Sequence, residues 1–185
     1  MGRTRTNKAA ISATDAEIVA ALLGRPLPPD RRLLSTDGHL MDLARLAGRS
    51  VVYVHPMIRR PGAASPLGWE QAPGARGCTA QSCAFRDVFV DLMSGSHVFG
   101  LSIQPSTEQR EAVARLHLPF PLLSDADLKW SSALGLPTFQ VGQLRVLRRL
   151  TLIVRDGRIE HVFYPVPVPE ENALTVLLWL HEHPL

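Results

Sequence analysis

The chain contains only two cysteines, Cys78 and Cys83, five positions apart in the run Gly77-Cys78-Thr79-Ala80-Gln81-Ser82-Cys83. The run closes a long irregular segment and opens a helical pattern, which puts Cys78 in a first helical turn. Unpaired backbone N–H groups and the positive end of the helix dipole stabilise a thiolate there, and the thiolate is the nucleophilic form of cysteine. Arg76 and Arg86 add positive potential close by, and Cys83 falls on the packed side of the same helix. Spacing limits what the pair can do. In an intact helix, positions i and i+5 are ~7.5 Å apart along the axis and about 140° apart around it. Their Cα atoms then stand roughly 8–9 Å apart, beyond the ~7 Å reach of a disulfide. A static staple is excluded, whereas a redox cycle that unwinds the first turns is allowed. The plainer alternative is a pair of buried small hydrophobes, which free cysteines often are. Both cysteines on one helix, one of them at its positive end, favour chemistry.

Other reaction classes leave no trace. No G-x-S-x-G, P-loop or G-x-G-x-x-G occurs, which disfavours acyl transfer and nucleotide binding. Two cysteines are too few for a four-cysteine zinc site or a disulfide-stapled scaffold. His181 and His183 end the last helical pattern, where a cation is favourable without any metal. Twenty basic against 17 acidic residues leave a net charge of +3 over 185 residues, too mild an excess to imply a nucleic-acid partner. Arg3, Arg5 and Lys8 precede the apolar stretch 18–23 in the manner of a leader, but Asp15 and Glu17 stand at its mouth. No apolar run approaches the ~18–20 residues that span a bilayer. The expectation is a cytoplasmic protein with reduced thiols and no membrane association.

The elements that must position the cysteines are legible in part. Residues 1–12 are polar, basic and aperiodic, and read as a flexible tail before one domain over 13–185. A helix is expected from Thr14 to Gly24, then a short strand, a turn at Asp37-Gly38 and a second short strand or helix entry within 31–43. Ser50–His55 reads as a buried strand ending at Pro56. Residues 57–76 lack periodicity and are rich in proline and glycine, and a segment so long is functional or mobile. Helical spacing then runs from Cys78 to Gly95. A strand follows at 97–103, a helix at 107–116, a short strand in Pro119–Asp125 and a helix at 126–134. Residues 138–147 form a hairpin, and 149–155 and 158–164 flank Asp156-Gly157, a strong two-residue hairpin signal. A final helix spans 170–181. With 45% apolar residues to fill a core, this order implies α/β layers around a mixed sheet with hairpin strands at one edge.

Gly77-Cys78-Thr79-Ala80-Gln81-Ser82-Cys83-Ala84-Phe85-Arg86-Asp87 resembles the active-site motif of peroxiredoxins of the bacterioferritin-comigratory, or peroxiredoxin Q, type. There a second cysteine follows the first by five positions and Phe-Arg-Asp comes next. VVYVHP (51–56) is similar to the strand and proline that enter that family's active-site loop. PFPLLSD (119–125) and RRLTLIVRDGRI (148–159) resemble further segments in the family's order, so the resemblance covers about 32–159. It implies a thioredoxin-like fold, a central mixed β-sheet flanked by helices, with 57–76 as an inserted loop. It also implies a thiol peroxidase that reduces hydrogen peroxide and organic hydroperoxides through a cysteine sulfenate and an intramolecular Cys78–Cys83 disulfide. Thioredoxin or glutaredoxin would recycle that disulfide, no metal or organic cofactor would be needed, and the protein would be a monomer or homodimer. Carried over residue by residue, Cys78 is the peroxidatic and Cys83 the resolving cysteine. Arg149 holds the thiolate and Pro56 shields it. The family's threonine three positions before the cysteine is Ala75 here, so either Thr79 or groups of the 57–76 loop supply the missing hydrogen bond, or the substrate or rate differs. Two rival readings are a redox-sensing module that uses the same disulfide as a switch, and a thiol-disulfide oxidoreductase, for which a C-x-x-C motif is missing.

Overall fold

A computed structural model describes residues 13–185, and the tail expected over 1–12 lies outside the described residues. The chain runs α1 (Ala13–Leu22), β1 (Leu33–Ser35), β2 (Leu40–Met41), β3 (Arg49–Val54), α2 (Cys78–Asp87), α3 (Phe89–Leu92), β4 (His97–Ser102), α4 (Ser106–Leu116) and β5 (Leu122–Ser124). It continues through α5 (Lys129–Leu134), β6 (Thr138–Val141), β7 (Leu144–Leu147), β8 (Leu150–Arg155), β9 (Arg158–Phe163) and α6 (Asn172–Glu182). Seven strands form one mixed sheet in the order β2-β1-β5-β4-β3-β8-β9. The three central strands β5, β4 and β3 are parallel, and β8 and β9 extend the sheet antiparallel beside β3.

β3 is buried at all six positions, and Val51–Val54 form a continuous apolar run because helices cover both faces of the sheet. Alternation along the strand divides its side chains. Val52 and Val54 join Leu150, Leu152 and Val154 of β8 in a core under α1 and α5. Val51 and Tyr53 join Ile153 in a second core under α2, α4 and α6. The β8–β9 turn takes the expected form, with Asp156 and Gly157 both at positive φ, 48° and 72°. A Cβ at Gly157 would lie 2.2 Å from the Ala44 carbonyl oxygen, so that corner admits only glycine.

The structure departs from the sequence reading at three places. The helix expected up to Gly95 breaks at Val88, where φ and ψ turn to −109° and 13°, and restarts as the short α3. The β-branched and aromatic residues from Val88 to Val90 hold the helix weakly. The helix expected from 126 begins only at Lys129. Both oxygens of Asp125 accept hydrogen bonds from the backbone N–H groups of Trp130 and Ser131, which fixes 125–128 as its capped lead-in. The third departure is the β6–β7 hairpin, which forms its own two-stranded sheet apart from the main one. Its Val141 and Val146 pack on Trp69 and Ala75 of the inserted segment, and that contact draws the hairpin away. The segment itself includes a single 3₁₀ turn at Trp69–Gln71. Glu70 ties it together through Arg59, Ser65 and Arg76.

Candidate active site

Helix α2 begins at Cys78 because Gly77 before it sits at φ 96°, a conformation that suits glycine. A Cβ on Gly77 would also strike Pro169, 2.6 Å from its Cγ. The Cys78 side chain is 4% exposed. Its Sγ accepts a hydrogen bond from the Met57 backbone N–H at 3.4 Å and another from Arg149 Nη2 at 3.3 Å. The thiol also lies 3.6 Å from the Ala75 carbonyl oxygen, to which it donates. Two donors and a helix N-terminus therefore converge on one sulfur.

Arg149 is itself buried. Besides Cys78, its Nη2 donates to the carbonyl oxygens of Arg76 at 2.7 Å and Gly74 at 3.3 Å, and its Nη1 donates to Gln81 Oε1. The guanidinium thus holds the end of the 57–76 segment against the start of α2. Arg148 points the other way and lies over the Phe139 ring, 5.5 Å from its centroid. Gln81 Nε2 donates to Asn172 Oδ1 at 2.9 Å, and the Thr151 hydroxyl donates to the same oxygen at 2.7 Å. Gln81 and Asn172 carried no signal in the sequence reading. The cue present was a polar residue one helical turn after Cys78 on its buried side.

The remaining expected residues surround the same sulfur. Pro56 is buried, and the residue after it supplies the N–H on Cys78. Thr79 is exposed and lines an open cleft of about 510 Å³ together with Cys78, Met57, Trp69, Ala75 and Arg76. Cys83 is half-buried in α2, and both thiols are free. Arg86 donates to the Asp87 carboxylate and the Leu116 carbonyl oxygen rather than to Cys78, and Asp87 holds its pKa above the ordinary value. Behind the site, the Tyr53 hydroxyl donates to Ser82 Oγ at 3.0 Å while its ring stacks on Phe85. Burial raises that phenol's pKa.

His55 is the residue the sequence reading passed over. It is fully buried, and neither ring nitrogen has a hydrogen-bond partner among the described residues. Burial first, and the Arg149 charge second, push its pKa down to about 3, so the imidazole is neutral. Continuing the β3–β8 register by one pair beyond Val54–Leu150 puts His55 opposite Arg149. Among the described residues no His, Cys, Asp and Glu group is placed to hold a metal ion, and no helix is long and apolar enough to cross a membrane.

Comparison with known proteins adds the family. The redoxin family pattern matches residues 22–177. Chloroplastic peroxiredoxin Q of Suaeda salsa is 29% identical over 167 residues, covering 89% of this chain and 71% of that protein. Peroxiredoxin Bcp of Escherichia coli strain K12 is 28% identical over 163 residues, covering 85% of this chain and 94% of its own length. The chain spans only 60% of the rice relatives it matches. The crystal structure of a cysteine-to-serine mutant of Xylella fastidiosa PrxQ superposes with a TM-score of 0.71 at 20% identity, over 87% of this chain and 96% of that one. That likeness bears on the fold, which is thioredoxin-like.

Proposed function

Because the chain belongs to the redoxin family, we propose that it is a thiol peroxidase with Cys78 as nucleophile. The reading rests on one observation above all, Arg149 Nη2 3.3 Å from the Cys78 sulfur. The Cys78 thiolate attacks one oxygen of the peroxide and the O–O bond breaks. Sulfur is oxidised to the sulfenic acid, and the other oxygen leaves as water or alcohol after taking a proton. Arg149 and the Met57 N–H stabilise the charge that moves from sulfur to oxygen. Pro56, directly before that N–H, keeps bulk water from the sulfur, and Thr79 offers a hydroxyl at the cleft mouth.

The second half of the cycle needs a change of shape. Both cysteines are on one regular helix, where a disulfide between i and i+5 cannot close. The first turns of α2 unwind, the Cys83 thiol condenses with the sulfenic acid, water leaves and a Cys78–Cys83 disulfide forms. A dithiol protein of the thioredoxin or glutaredoxin type then exchanges the disulfide back to thiols. Hydrogen peroxide and organic hydroperoxides are the substrates, residues 13–185 act as one domain, and the cytoplasm is the reducing compartment that suits free thiols.

The test is steady-state peroxide consumption with thioredoxin and its reductase, for wild type, Cys78→Ser and Cys83→Ser side by side. Wild type turns over, Cys78→Ser is inactive, and Cys83→Ser consumes about one equivalent of peroxide and stops. Equal residual turnover in the two variants would overturn the assignment of roles. A wild type that reacts only once would favour a redox sensor.

A further inference from the structure

Asn172, the first residue of α6, is 4% exposed and lies on the opposite side of Gln81 from Arg149. Hydrogen-bond polarity runs in one direction through this chain of groups. A guanidinium only donates, so Gln81 must turn its carbonyl oxygen to Arg149 and its NH₂ away. That NH₂ meets Asn172 Oδ1, which also accepts from the Thr151 hydroxyl. Were Gln81 to flip, its NH₂ would face the Arg149 N–H groups, donor against donor, among buried side chains.

We propose that Asn172 is a positioning residue for Arg149: its side-chain carbonyl fixes the orientation of Gln81, and Gln81 so oriented holds the guanidinium against the Cys78 sulfur. The inference deepens the peroxidase reading and rests on it for its purpose, though not for its test. The C-terminal segment grips α2 on both sides of Cys78, with Pro169 packed on Gly77 before it and Asn172 bonded to Gln81 after it. Unwinding the first turns of α2 parts Gln81 from Asn172, so Arg149 loses its support in the same event that frees Cys78 to meet Cys83.

The experiment reads Cys78 ionisation, with no peroxide present. In a Cys83→Ser background Cys78 is the sole thiol, and the pH dependence of its alkylation by iodoacetamide gives the midpoint. The titratable and charged side chains that face it, Arg149 in contact, Tyr53 and His55 from the end of β3, and Arg59, Glu70 and Arg76 around the cleft, are the same in every variant. Asn172→Leu is expected to raise the midpoint by about one pH unit, a tenfold loss of thiolate at pH values well below both midpoints. In a Gln81→Met background, where no amide remains to orient, adding Asn172→Leu should move the midpoint no further. An unmoved midpoint in the first case, or equal shifts in both backgrounds, would overturn the proposal, the latter because Asn172 would then act by packing alone. If circular dichroism shows Asn172→Leu unfolded, Asn172→Ala runs the same cycle with the same expected shifts. A protein that failed to reduce peroxide would still return this result, so the two readings fail separately.

Discussion

Neighbouring residues of the same two strands meet very different surroundings. On one face of the sheet β3 and β8 present Val52, Val54, Leu150 and Leu152, hydrocarbon packed under α1 and α5. On the other face the residues between and beyond them are Tyr53, His55, Thr151 and Arg149, buried as deeply but polar. Burying a hydroxyl or amide without a partner costs about 1–3 kcal/mol by mutational measure, and an unpaired charge costs more. The second face avoids most of that penalty with a closed set of hydrogen bonds: Tyr53 to Ser82, Thr151 and Gln81 to Asn172, and Arg149 to Gln81, two carbonyls and Cys78. Both faces carry an apolar core, and the second adds to its core a hydrogen-bonded set that holds the Cys78 sulfur in place.

The largest effect should come from crossing the two faces. Arg149→Gln removes the charged donor from the sulfur, and the loss of one preorganised donor typically costs about 10²–10³ in rate. Leu152→Ala, two strand positions past Leu150, leaves a cavity in the hydrocarbon core and should cost ~2–5 kcal/mol of stability. Stopped-flow tryptophan fluorescence would give the peroxide rate, and urea denaturation the stability. Arg149→Gln should lower the first far more than the second, and Leu152→Ala the reverse. If Leu152→Ala slowed the folded protein as much as Arg149→Gln does, the division between faces would be wrong.

What the sequence disclosed follows the same division. Apolar runs marked β3, β4 and β8, since burial writes itself into nearly every residue of an interior strand, and the Asp156-Gly157 turn marked β9 at the sheet's edge. The cysteine pair stood out through spacing, and the choice of Arg149 over Arg148 came from family resemblance. The structure makes the physical difference plain, with one guanidinium on Cys78 and its neighbour over Phe139. Asn172 was out of reach, because it meets Gln81 across 91 positions of sequence with no local pattern to announce it. The β6–β7 hairpin was readable as strands. Which sheet it joins depended on Trp69, a single side chain in a segment without periodicity. The left-handed Leu128 that delays α5 was likewise invisible.

An intermediate effect is expected at His55, whose ring nitrogens have no hydrogen-bond partner among the described residues. Its folded pKa of about 3 lies below the ~6.5 of an unfolded chain. As pH falls through ~6.5 the unfolded chain gains a proton that the folded protein refuses, so the stability present above that pH is lost on acidification. Between the two pKa values the loss approaches ~1.4 kcal/mol per pH unit. His55→Phe keeps a ring in the cavity and removes the titration, and every other group titrates alike in both proteins. Urea midpoints from about pH 7 down to about pH 4 should therefore diverge, wild type falling faster. Parallel curves would show that His55 finds a partner or solvent on the second face.

The smallest effect tests how far that face depends on the 57–76 segment, where Ala75 stands in place of the family's threonine. Ala75 is 1% exposed and packs with Trp69, Val141 and Val146, while its carbonyl oxygen takes the Cys78 thiol. The sulfur already receives the Met57 N–H and Arg149 Nη2. A hydroxyl restored by Ala75→Thr would therefore add one neutral hydrogen bond to a peroxide, about 0.5–1.5 kcal/mol, or roughly two- to tenfold in rate. The extra atoms should cost about 1–3 kcal/mol of stability by crowding Trp69. A companion variant with residues 60–70 replaced by a short Gly-Ser link removes Trp69 and Glu70, and with them the wall of the cleft. If the segment is a lid, the ratio of rates for a bulky hydroperoxide over hydrogen peroxide should rise in that variant. An unchanged ratio would rule out a lid. A gain near a hundredfold from Ala75→Thr would mean that nothing in the segment had replaced the missing hydroxyl, because the two donors already on the sulfur would then leave the peroxide unsupported.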